Sequence, residues 1–482
     1  METFSLYGLG LLVSWAALLR MRSLRLRQFT LLIISYILYF SWGKWFVLIL
    51  LTSSIANYGL GQYLKRRPSS GRLWVAVGFN LILLGAFKYL PGMVGAAPHA
   101  ASYSAFQHIG LPLGISFWTF EALSFHFEIF RREEVDPSLL EFCLFMAFWP
   151  TVISGPICRL TELLPQLRSK DSPSWEDMAA GIPRIATGLI MLGVARILAA
   201  GLGPGQGVDA GFALSATKWS GIDVWFLAIG YGFRLFLDFA GYSSLVIGAA
   251  RVCGFQLPEN FSRPFLSTTP SEFWTRWHMS LSFWIRDFLF LPLASVNRSL
   301  WWRNFSLFIS MVLFGLWHKG TILFLLWGAL QGALLVLHRQ WQKLRMTLGL
   351  NIPDSVSTAL GWFFTFFGIS AGWIFFRSES LHQAMTMAKA IVAPIGYLHR
   401  RMPPQFYVLV VCVALGYFAI VAVTSFLNRV EERGVFASSL QIMLRERWVW
   451  IAPGVAVLAV YAYLITEIQK TSLGSPFLYR LF

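Results

Sequence analysis

Residues 271–287 read Ser-Glu-Phe-Trp-Thr-Arg-Trp-His-Met-Ser-Leu-Ser-Phe-Trp-Ile-Arg-Asp, and they decide how the chain is interpreted. The stretch packs three tryptophans, one histidine and four charged residues between long apolar runs. If it is helical, Trp274, His278 and Ser282 lie one turn apart on one face. Ionisable residues at membrane depth are costly unless they are paired or face a cavity. The sequence therefore predicts a functional site here.

The polar region extends well beyond this stretch, from about residue 234 to residue 318. It includes Arg234, Asp238, Glu259, Asn260 and Arg263, none of which a lipid-facing helix tolerates. No internal repeat accompanies it, so an inverted-repeat transporter is not supported. We interpret the region as the functional centre of the chain.

The composition indicates that the surroundings of this centre are a lipid bilayer. The 482 residues are 56% hydrophobic and 13% charged, with a mean hydropathy of +0.60. Soluble domains are about a quarter charged, and so much apolar surface cannot be hidden in one water-soluble core. The net charge of +16 is typical of Lys- and Arg-rich cytoplasmic loops, and no nucleic-acid partner is expected.

Apolar runs and basic loops predict the spans and part of the topology. Basic loops at 20–27 and 65–72 are expected in the cytoplasm, with the loop at 91–108 outside and Arg131 and Arg132 inside. The first run is expected to be a retained span with its N-terminus outside, because no basic region precedes it. Runs shorter than about 20 residues are expected to be re-entrant or half-helices. The candidate spans are 5–19, 28–42, 45–63, 73–90, 109–128, 140–157, 179–203, 222–250, 305–317, 321–337, 358–376, 405–426 and 448–466.

Several classes of site are not supported by the motifs. The chain has no H-E-x-x-H or Walker signature. Its four cysteines form no C-x-x-C pair and lie in or beside apolar runs, so we predict buried thiols without a disulfide framework or zinc. No metal site is expected.

Two histidines are the candidates for chemistry. His278 lies in the stretch quoted above, and His318 lies in Gly315-Leu316-Trp317-His318-Lys319-Gly320, between two apolar runs. A neutral imidazole can take a proton near pH 7, and a hydroxyl needs such a base to become a good nucleophile. The alternative is that each histidine only bonds a neighbouring helix.

Seven segments carry a resemblance to a known family. The sequence resembles the membrane-bound O-acyltransferase family, and within it the bacterial branch of alginate O-acetyltransferases, peptidoglycan O-acetyltransferases and teichoic-acid D-alanyl transferases. The string R-W-H-x-S-L-S-x-W-x-R-D is the most specific part. In chain order the segments are 112–117 (PLGISF), 154–159 (SGPICR), 238–243 (DFAGYS), 258–261 (PENF), 273–287, 315–318 (GLWH) and 373–377 (WIFFR).

The resemblance implies an all-α polytopic fold and a catalytic residue. Tilted and re-entrant helices would form a ring around a catalytic chamber, with a funnel from each face. The histidine of the G-x-W-H motif is His318, which is implied to be catalytic. His278 of the R-W-H motif would orient the acceptor or hold a helix. One integral membrane domain is expected, with N-terminal helices at 1–135, the catalytic core at 136–340 and C-terminal helices at 341–482.

The sequence departs from the family pattern at two positions. Lys319 stands where glycine is common, and Gln331 stands where histidine is frequent. Lys319 would narrow the funnel, contact an anionic donor or extend to an interface. The residues predicted to line the funnel or contact substrate are Trp317, Lys319, Ser282, Trp274 and Gln331.

The remaining charged residues are predicted to be structural. Asp238 is expected to pair with Arg234, Arg276 or Arg286. Arg276, Arg286 and Asp287 are expected to fix the segment that carries His278.

The function expected from this resemblance is acyl transfer to a hydroxyl. Acetyl-CoA would be the cytoplasmic donor, with no bound cofactor, and the acceptor would be an exported polysaccharide or a periplasmic SGNH-type partner. The expected location is the bacterial inner membrane. An alternative keeps the fold but takes D-alanyl from an acyl-carrier protein thioester, and a transporter or flippase without acyl chemistry is the alternative from another class.

Overall fold

The computed structural model describes residues 2–95, 110–214, 219–393, 397 and 399–432. These residues form helices joined by loops. They contain no β-strand beyond one isolated antiparallel bridge between Phe261 and Trp277. The expected all-α class is therefore confirmed.

The chain divides into two compact units. The first comprises residues up to 185 together with 243–259, and the second comprises 186–242 and the residues from 260 onward. The helices of the N-terminal part are α1 (Glu2–Arg20), α2 (Leu24–Gly43), α3 (Phe46–Arg66), α4 (Ser70–Lys88), α5 (Leu90–Gly95), α6 (Ile115–Phe130), α7 (Leu139–Ala147), α8 (Leu160–Arg168) and α9 (Trp175–Ala200).

The remaining helices include several short ones around residues 264–295. They are α10 (Val208–Phe212), α11 (Gly221–Val252), α12 (Pro270–Arg276), α13 (Met279–Ile285), α14 (Leu291–Ser295), α15 (Leu300–His318), α16 (Ile322–Thr347), α17 (Asp354–Arg377), α18 (Leu381–Val392) and α19 (Pro404–Glu432). A 3₁₀ turn covers Pro264–Leu266 and a π-helical turn covers Arg286–Phe290.

Among the described residues, six helices are long and apolar enough to cross a membrane: α4, α9, α11, α16, α17 and α19. The shorter apolar helix Leu6–Arg20 adds a further candidate. The molecule is therefore a multi-pass membrane protein, as the composition predicts.

One short apolar run is divided between a helix and a loop, and one predicted span lies beyond the described residues. The apolar run 140–157 is not a single helix, because α7 ends at Ala147 and a loop follows. This loop is nevertheless buried almost throughout. Hydropathy reports burial, and it does not distinguish a buried loop from a span. The predicted span at 448–466 falls outside the part of the chain that the structure describes.

The buried loop explains two of the sequence motifs, both in the first unit. Gly114 caps α6 with φ +72°, and a Cβ there would lie 1.9 Å from the backbone oxygen of Val152. Gly155 has φ +142°. Only glycine fits such a close approach of backbone to backbone. The motif segment 112–117 therefore packs against residues 152–153, directly before the motif segment 154–159.

A helical hairpin in the second unit, α15–α16, positions the candidate active site. A Cβ added at Gly315 would lie 2.2 Å from the Phe324 carbonyl oxygen, and one at Gly328 would lie 2.4 Å from the Met311 carbonyl oxygen. Small residues let helix backbones approach closely in membranes. The two helices therefore pack backbone to backbone just before the residue that ends α15, His318.

The cysteines follow the prediction in part. Cys143, Cys158 and Cys253 are buried free thiols, as expected, whereas Cys412 is exposed on α19. That expectation is wrong for Cys412 because an apolar run says nothing about which face of its helix a residue occupies.

Candidate active site

His318 is the last residue of α15, at the corner of the α15–α16 hairpin. Lys319 leaves the helix in an extended conformation, and its backbone N–H still donates to the Gly315 carbonyl at 3.4 Å. Thr321 caps α16, and its N–H donates to the Lys319 carbonyl at 2.7 Å. The imidazole is thus carried on a tight connection fixed by the backbone contact at Gly315.

Aromatic rings surround the half-buried imidazole of His318. They come from α15, from α16 and from the end of α17, so three helices contribute. We call this set of rings the aromatic cage. The distances between the His318 ring centroid and the cage ring centroids are 4.8 Å for Phe314, 4.7 Å for Trp317, 6.1 Å for Phe324, 5.5 Å for Trp327 and 5.3 Å for Phe376.

Two of the predicted lining residues reach the aromatic cage. Trp317 is one of its members, and Trp274 of α12 lies at its edge, 5.5 Å from Phe314 and 5.9 Å from Trp327 between ring centroids. Lys319 is exposed beside it. The Ser282 hydroxyl donates to the Trp277 carbonyl at 3.0 Å, so its proton is engaged with the backbone.

The segment around His278 is not one helix. Helix α12 ends at Arg276, and His278 adopts the left-handed conformation (φ 43°, ψ 56°) before α13 begins. The Met279 N–H donates to the Asn260 carbonyl at 2.8 Å, and the Ser262 N–H donates to the Arg276 carbonyl at 3.0 Å. These backbone bonds to residues 260–262 end the helix, so Trp274, His278 and Ser282 do not share a helical face.

His278 is buried, with 3% of its surface exposed. Its ring lies 4.5 Å from that of Phe239 on α11, centroid to centroid. Asn260 supports the turn from the other side, because its side-chain oxygen accepts from the Ser280 hydroxyl at 2.7 Å. Two ring contacts connect this turn to the aromatic cage: a tilted pair, Trp277 and Trp373, with centroids 5.2 Å apart, and an edge-on pair, Trp373 and Phe376, with centroids 5.7 Å apart.

Gln331 lies one turn after Trp327 on α16 and is fully buried. Neither atom of its amide has a hydrogen-bond partner among the described residues. A Cβ added at Gly372 of α17 would lie 2.3 Å from Gln331 Nε2 and 3.5 Å from Trp327 Nε1. The amide nitrogen and the indole nitrogen therefore both lie close to Gly372.

The arginines are paired differently from the expectation for Asp238. Arg234 forms its ion pair with Asp209 of α10. Arg276 pairs with Glu272 at 2.7 Å, four residues earlier on the same helix. Arg286 pairs with its neighbour Asp287 at 2.7 Å. Each of these arginines therefore has a carboxylate partner other than Asp238.

Asp209 ties two helices of the second unit together, and sequence reasoning missed it. Besides Arg234 of α11, Arg377 at the end of α17 approaches its carboxylate at 3.4 Å. Arg377 also lies over the Phe212 ring at 5.3 Å. The motif residue Arg377 thus has a structural partner, but Asp209 lies outside every motif, so no signal pointed to it.

Trp327 was also missed, although a signal existed. It precedes Gln331 by four residues, which places a hydrogen-bonding aromatic and an amide on one helical face. Phe376 of the aromatic cage and Trp373, which packs against it, lie in the quoted segment 373–377, yet only the fold shows these contacts. No group of three or more His, Cys, Asp or Glu side chains suited to a metal ion occurs in the part of the chain described.

Comparison with known proteins now identifies the family. The family model for membrane-bound O-acyltransferases matches residues 44–378. The chain is 33% identical over 379 residues to the probable alginate O-acetylase AlgI of Pseudomonas aeruginosa, covering 76% of this chain and 70% of the relative.

Two other similar proteins are named for other acceptor polymers, peptidoglycan and teichoic acid. The peptidoglycan O-acetyltransferase of Helicobacter pylori is 28% identical over 400 residues, covering 76% of this chain and 74% of the relative. The teichoic acid D-alanyltransferase of Streptococcus thermophilus is 34% identical over 287 residues, covering 55% of this chain and 68% of the relative.

The chain belongs to the membrane-bound O-acyltransferase family. It is a multi-pass membrane enzyme that transfers an acyl group to a hydroxyl. The resemblance carried by the sequence motifs is thereby confirmed.

Proposed function

We propose that this enzyme transfers acetyl from cytoplasmic acetyl-CoA to a hydroxyl of an exported cell-envelope polysaccharide or of a periplasmic SGNH-type partner, in the bacterial inner membrane. His318 is the catalytic base. The observation that carries the proposal is the imidazole of His318, held at a fixed helical corner within the aromatic cage. Aromatic walls exclude water, which protects a thioester from hydrolysis and strengthens electrostatic interactions.

The proposed chemistry follows from the basicity of imidazole. His318 takes the proton of the acceptor hydroxyl as its oxygen attacks the thioester carbonyl carbon. The carbon–sulfur bond then breaks, and the imidazolium returns the proton to the leaving thiolate. No cofactor is needed, because the donor carries the activated acyl group.

The identity of the acyl group is supported by the relatives. The alginate and peptidoglycan acetylating relatives each align with 76% of this chain, whereas the D-alanyl relative aligns with 55%. Acetyl transfer is therefore the first proposal. D-alanyl transfer from an acyl-carrier protein is the second, because that relative has the higher identity, 34%, within its shorter match.

Replacement of His318 by alanine tests the base. Membrane vesicles with His318→Ala should retain the folded protein and lose acetyl transfer by about 10²–10⁴-fold, the range typical of a lost general base. Transfer of radiolabelled acetyl from acetyl-CoA to envelope polymer is the measurement. His338→Ala, in the same hairpin but outside the aromatic cage, is the control. Full acetylation by His318→Ala would overturn the assignment.

The polymer itself distinguishes the two acyl groups. Mass spectrometry of envelope polymers from a deletion strain should show loss of acetyl esters. Loss of alanyl esters with acetyl esters retained would favour the second proposal. Acetyl that accumulates on a purified SGNH-type partner, and not on the polysaccharide, would identify the direct acceptor.

A further inference from the structure

Several buried hydrogen-bond donors in and around the aromatic cage lack a protein acceptor among the described residues, and two of them lie close together. Trp327 Nε1 and Gln331 Nε2 have no partner among the described residues, although Trp327 is 1% exposed and Gln331 is fully buried. A buried donor left unsatisfied costs about 1–3 kcal/mol. Native structures tolerate few such groups, and they tend to be functional.

The two donors converge on one place. Both nitrogens lie beside Gly372 of α17. A Cβ built at Gly372 would lie 3.5 Å from Trp327 Nε1 and 2.3 Å from Gln331 Nε2. Any side chain at position 372 would displace the amide. Glycine at this position therefore keeps the donor pair in place.

One member of the donor pair, Trp327, also contacts the proposed base. The Trp327 ring stands edge-on to the His318 ring, with centroids 5.5 Å apart and planes at 79°. The same indole contacts Phe376 at 5.1 Å. The indole therefore forms part of the wall around the imidazole.

We propose that Trp327 and Gln331 form an oxyanion-binding pair that donates hydrogen bonds to the carbonyl oxygen of the acyl group. This inference rests on the proposed function. When the acceptor oxygen adds to the carbonyl carbon, its proton passes to His318 and the carbonyl electron pair moves to oxygen. The two N–H groups stabilise that negative charge until the carbon–sulfur bond breaks and the thiolate leaves with the proton from His318.

The expected effect is on turnover and not on donor binding. Loss of one oxyanion donor typically lowers kcat by about 10²–10³-fold. Trp327→Phe keeps an aromatic ring in the cage but removes the N–H, and Gln331→Leu keeps a branched, uncharged side chain but removes the amide donor. Both variants should lower kcat by about that factor, with KM for acetyl-CoA changed less than about threefold, because the interaction strengthens only in the transition state.

A matched control separates this role from packing. Trp362 on α17 donates its indole N–H to the Phe265 carbonyl at 2.9 Å and lies outside the aromatic cage. Trp362→Phe also loses an indole hydrogen bond, and it should retain wild-type kcat even if its thermal stability falls. If Trp327→Phe and Gln331→Leu fold and turn over at the wild-type rate, the oxyanion pair is wrong while the proposed function stands.

A spectroscopic measurement covers the case in which a variant is unstable. Isotope-edited infrared spectra of acetyl-CoA labelled with ¹³C at the carbonyl should show a lowered carbonyl stretch on binding to the His318→Ala protein. The shift should disappear in His318→Ala/Gln331→Leu. An unchanged carbonyl band in the two proteins overturns the pair. A wild-type enzyme that neither binds nor transfers acetyl from acetyl-CoA overturns both proposals.

Discussion

At the scale of single residues, charge and backbone geometry decide what a side chain can do. Glu141 begins the short helix α7, where Ser138 and Glu141 form a reciprocal capping box. Arg168 binds both carboxylate oxygens, at 2.8 Å and 3.0 Å. This guanidinium is the main reason why the pKa of Glu141 is lowered from 4.5 to about 2. The ion pair fastens α8 to the start of α7.

The lowered pKa makes part of the stability depend on pH. A carboxyl whose folded-state pKa is depressed contributes stability above its unfolded pKa and loses it as the pH falls through the folded value. The stability difference between wild type and Glu141→Gln in detergent should therefore be largest above pH 4.5 and shrink towards about pH 2. It should reach up to about 3 kcal/mol at neutral pH. A difference that stays constant over this range would contradict the assignment.

His278 shows what the residue scale withholds from sequence reasoning. Its place in the motif predicted a functional role. Its left-handed backbone, however, depends on the backbone hydrogen bonds between residues 260–262 and residues 276–279. A helical period assumed for 271–287 fails because local propensity is overridden by this pairing. The motif named the residue, and only the fold gives its orientation.

At the scale of elements, the α15–α16 hairpin depends on glycine at the helix contact. Gly315→Ala would place a Cβ 2.2 Å from the Phe324 carbonyl oxygen. The helices must separate to accept it, at about 1–3 kcal/mol. We expect a lower unfolding temperature in detergent and, because His318 ends α15, weaker acyl transfer.

Gly416→Ala on the spanning helix α19 is the matched control. A Cβ there meets nothing within 4 Å, and alanine is favoured over glycine inside a helix by about 0.5–1 kcal/mol. Its unfolding temperature should stay equal or rise. Equal losses in the two variants would show that the close contact at Gly315 does not hold the hairpin.

At the same scale, hydropathy predicts most long helices but not every apolar segment. Long apolar runs such as 222–250 and 358–376 correspond to α11 and α17, because a span must bury a continuous apolar surface in lipid. The apolar run 140–157 does not form one helix, because the loop after Ala147 is apolar for a different reason: it is buried in protein. The aromatic cage was predictable only in part, since Trp327 and Phe376 meet His318 through tertiary packing.

At the scale of the whole molecule, the basic loops predict the orientation in the membrane. The short connections after α1 and α3 both carry arginines, and the α2–α3 pair between them turns at Trp45, which is 74% exposed. Lys- and Arg-rich loops stay in the cytoplasm. The turn at Trp45 should therefore face the outside.

Cysteine labelling tests this orientation. In a Cys412→Ser background, Trp45→Cys should react with a membrane-impermeant maleimide in intact spheroplasts. Arg22→Cys and Arg67→Cys should react only after permeabilisation. Labelling of Arg67→Cys in intact spheroplasts would contradict the predicted topology.

The exposed thiol of Cys412 gives the protein a single natural site for a spectroscopic label. The other three cysteines are buried, and Cys412 lies on the outward face of α19 between the exposed side chains of Val408 and Leu415. A nitroxide attached there, without any engineered mutation, samples the lipid acyl chains. Its collision rates with dissolved oxygen and with a water-soluble nickel complex then report the immersion depth of α19, a coordinate that fixes the protein along the bilayer normal.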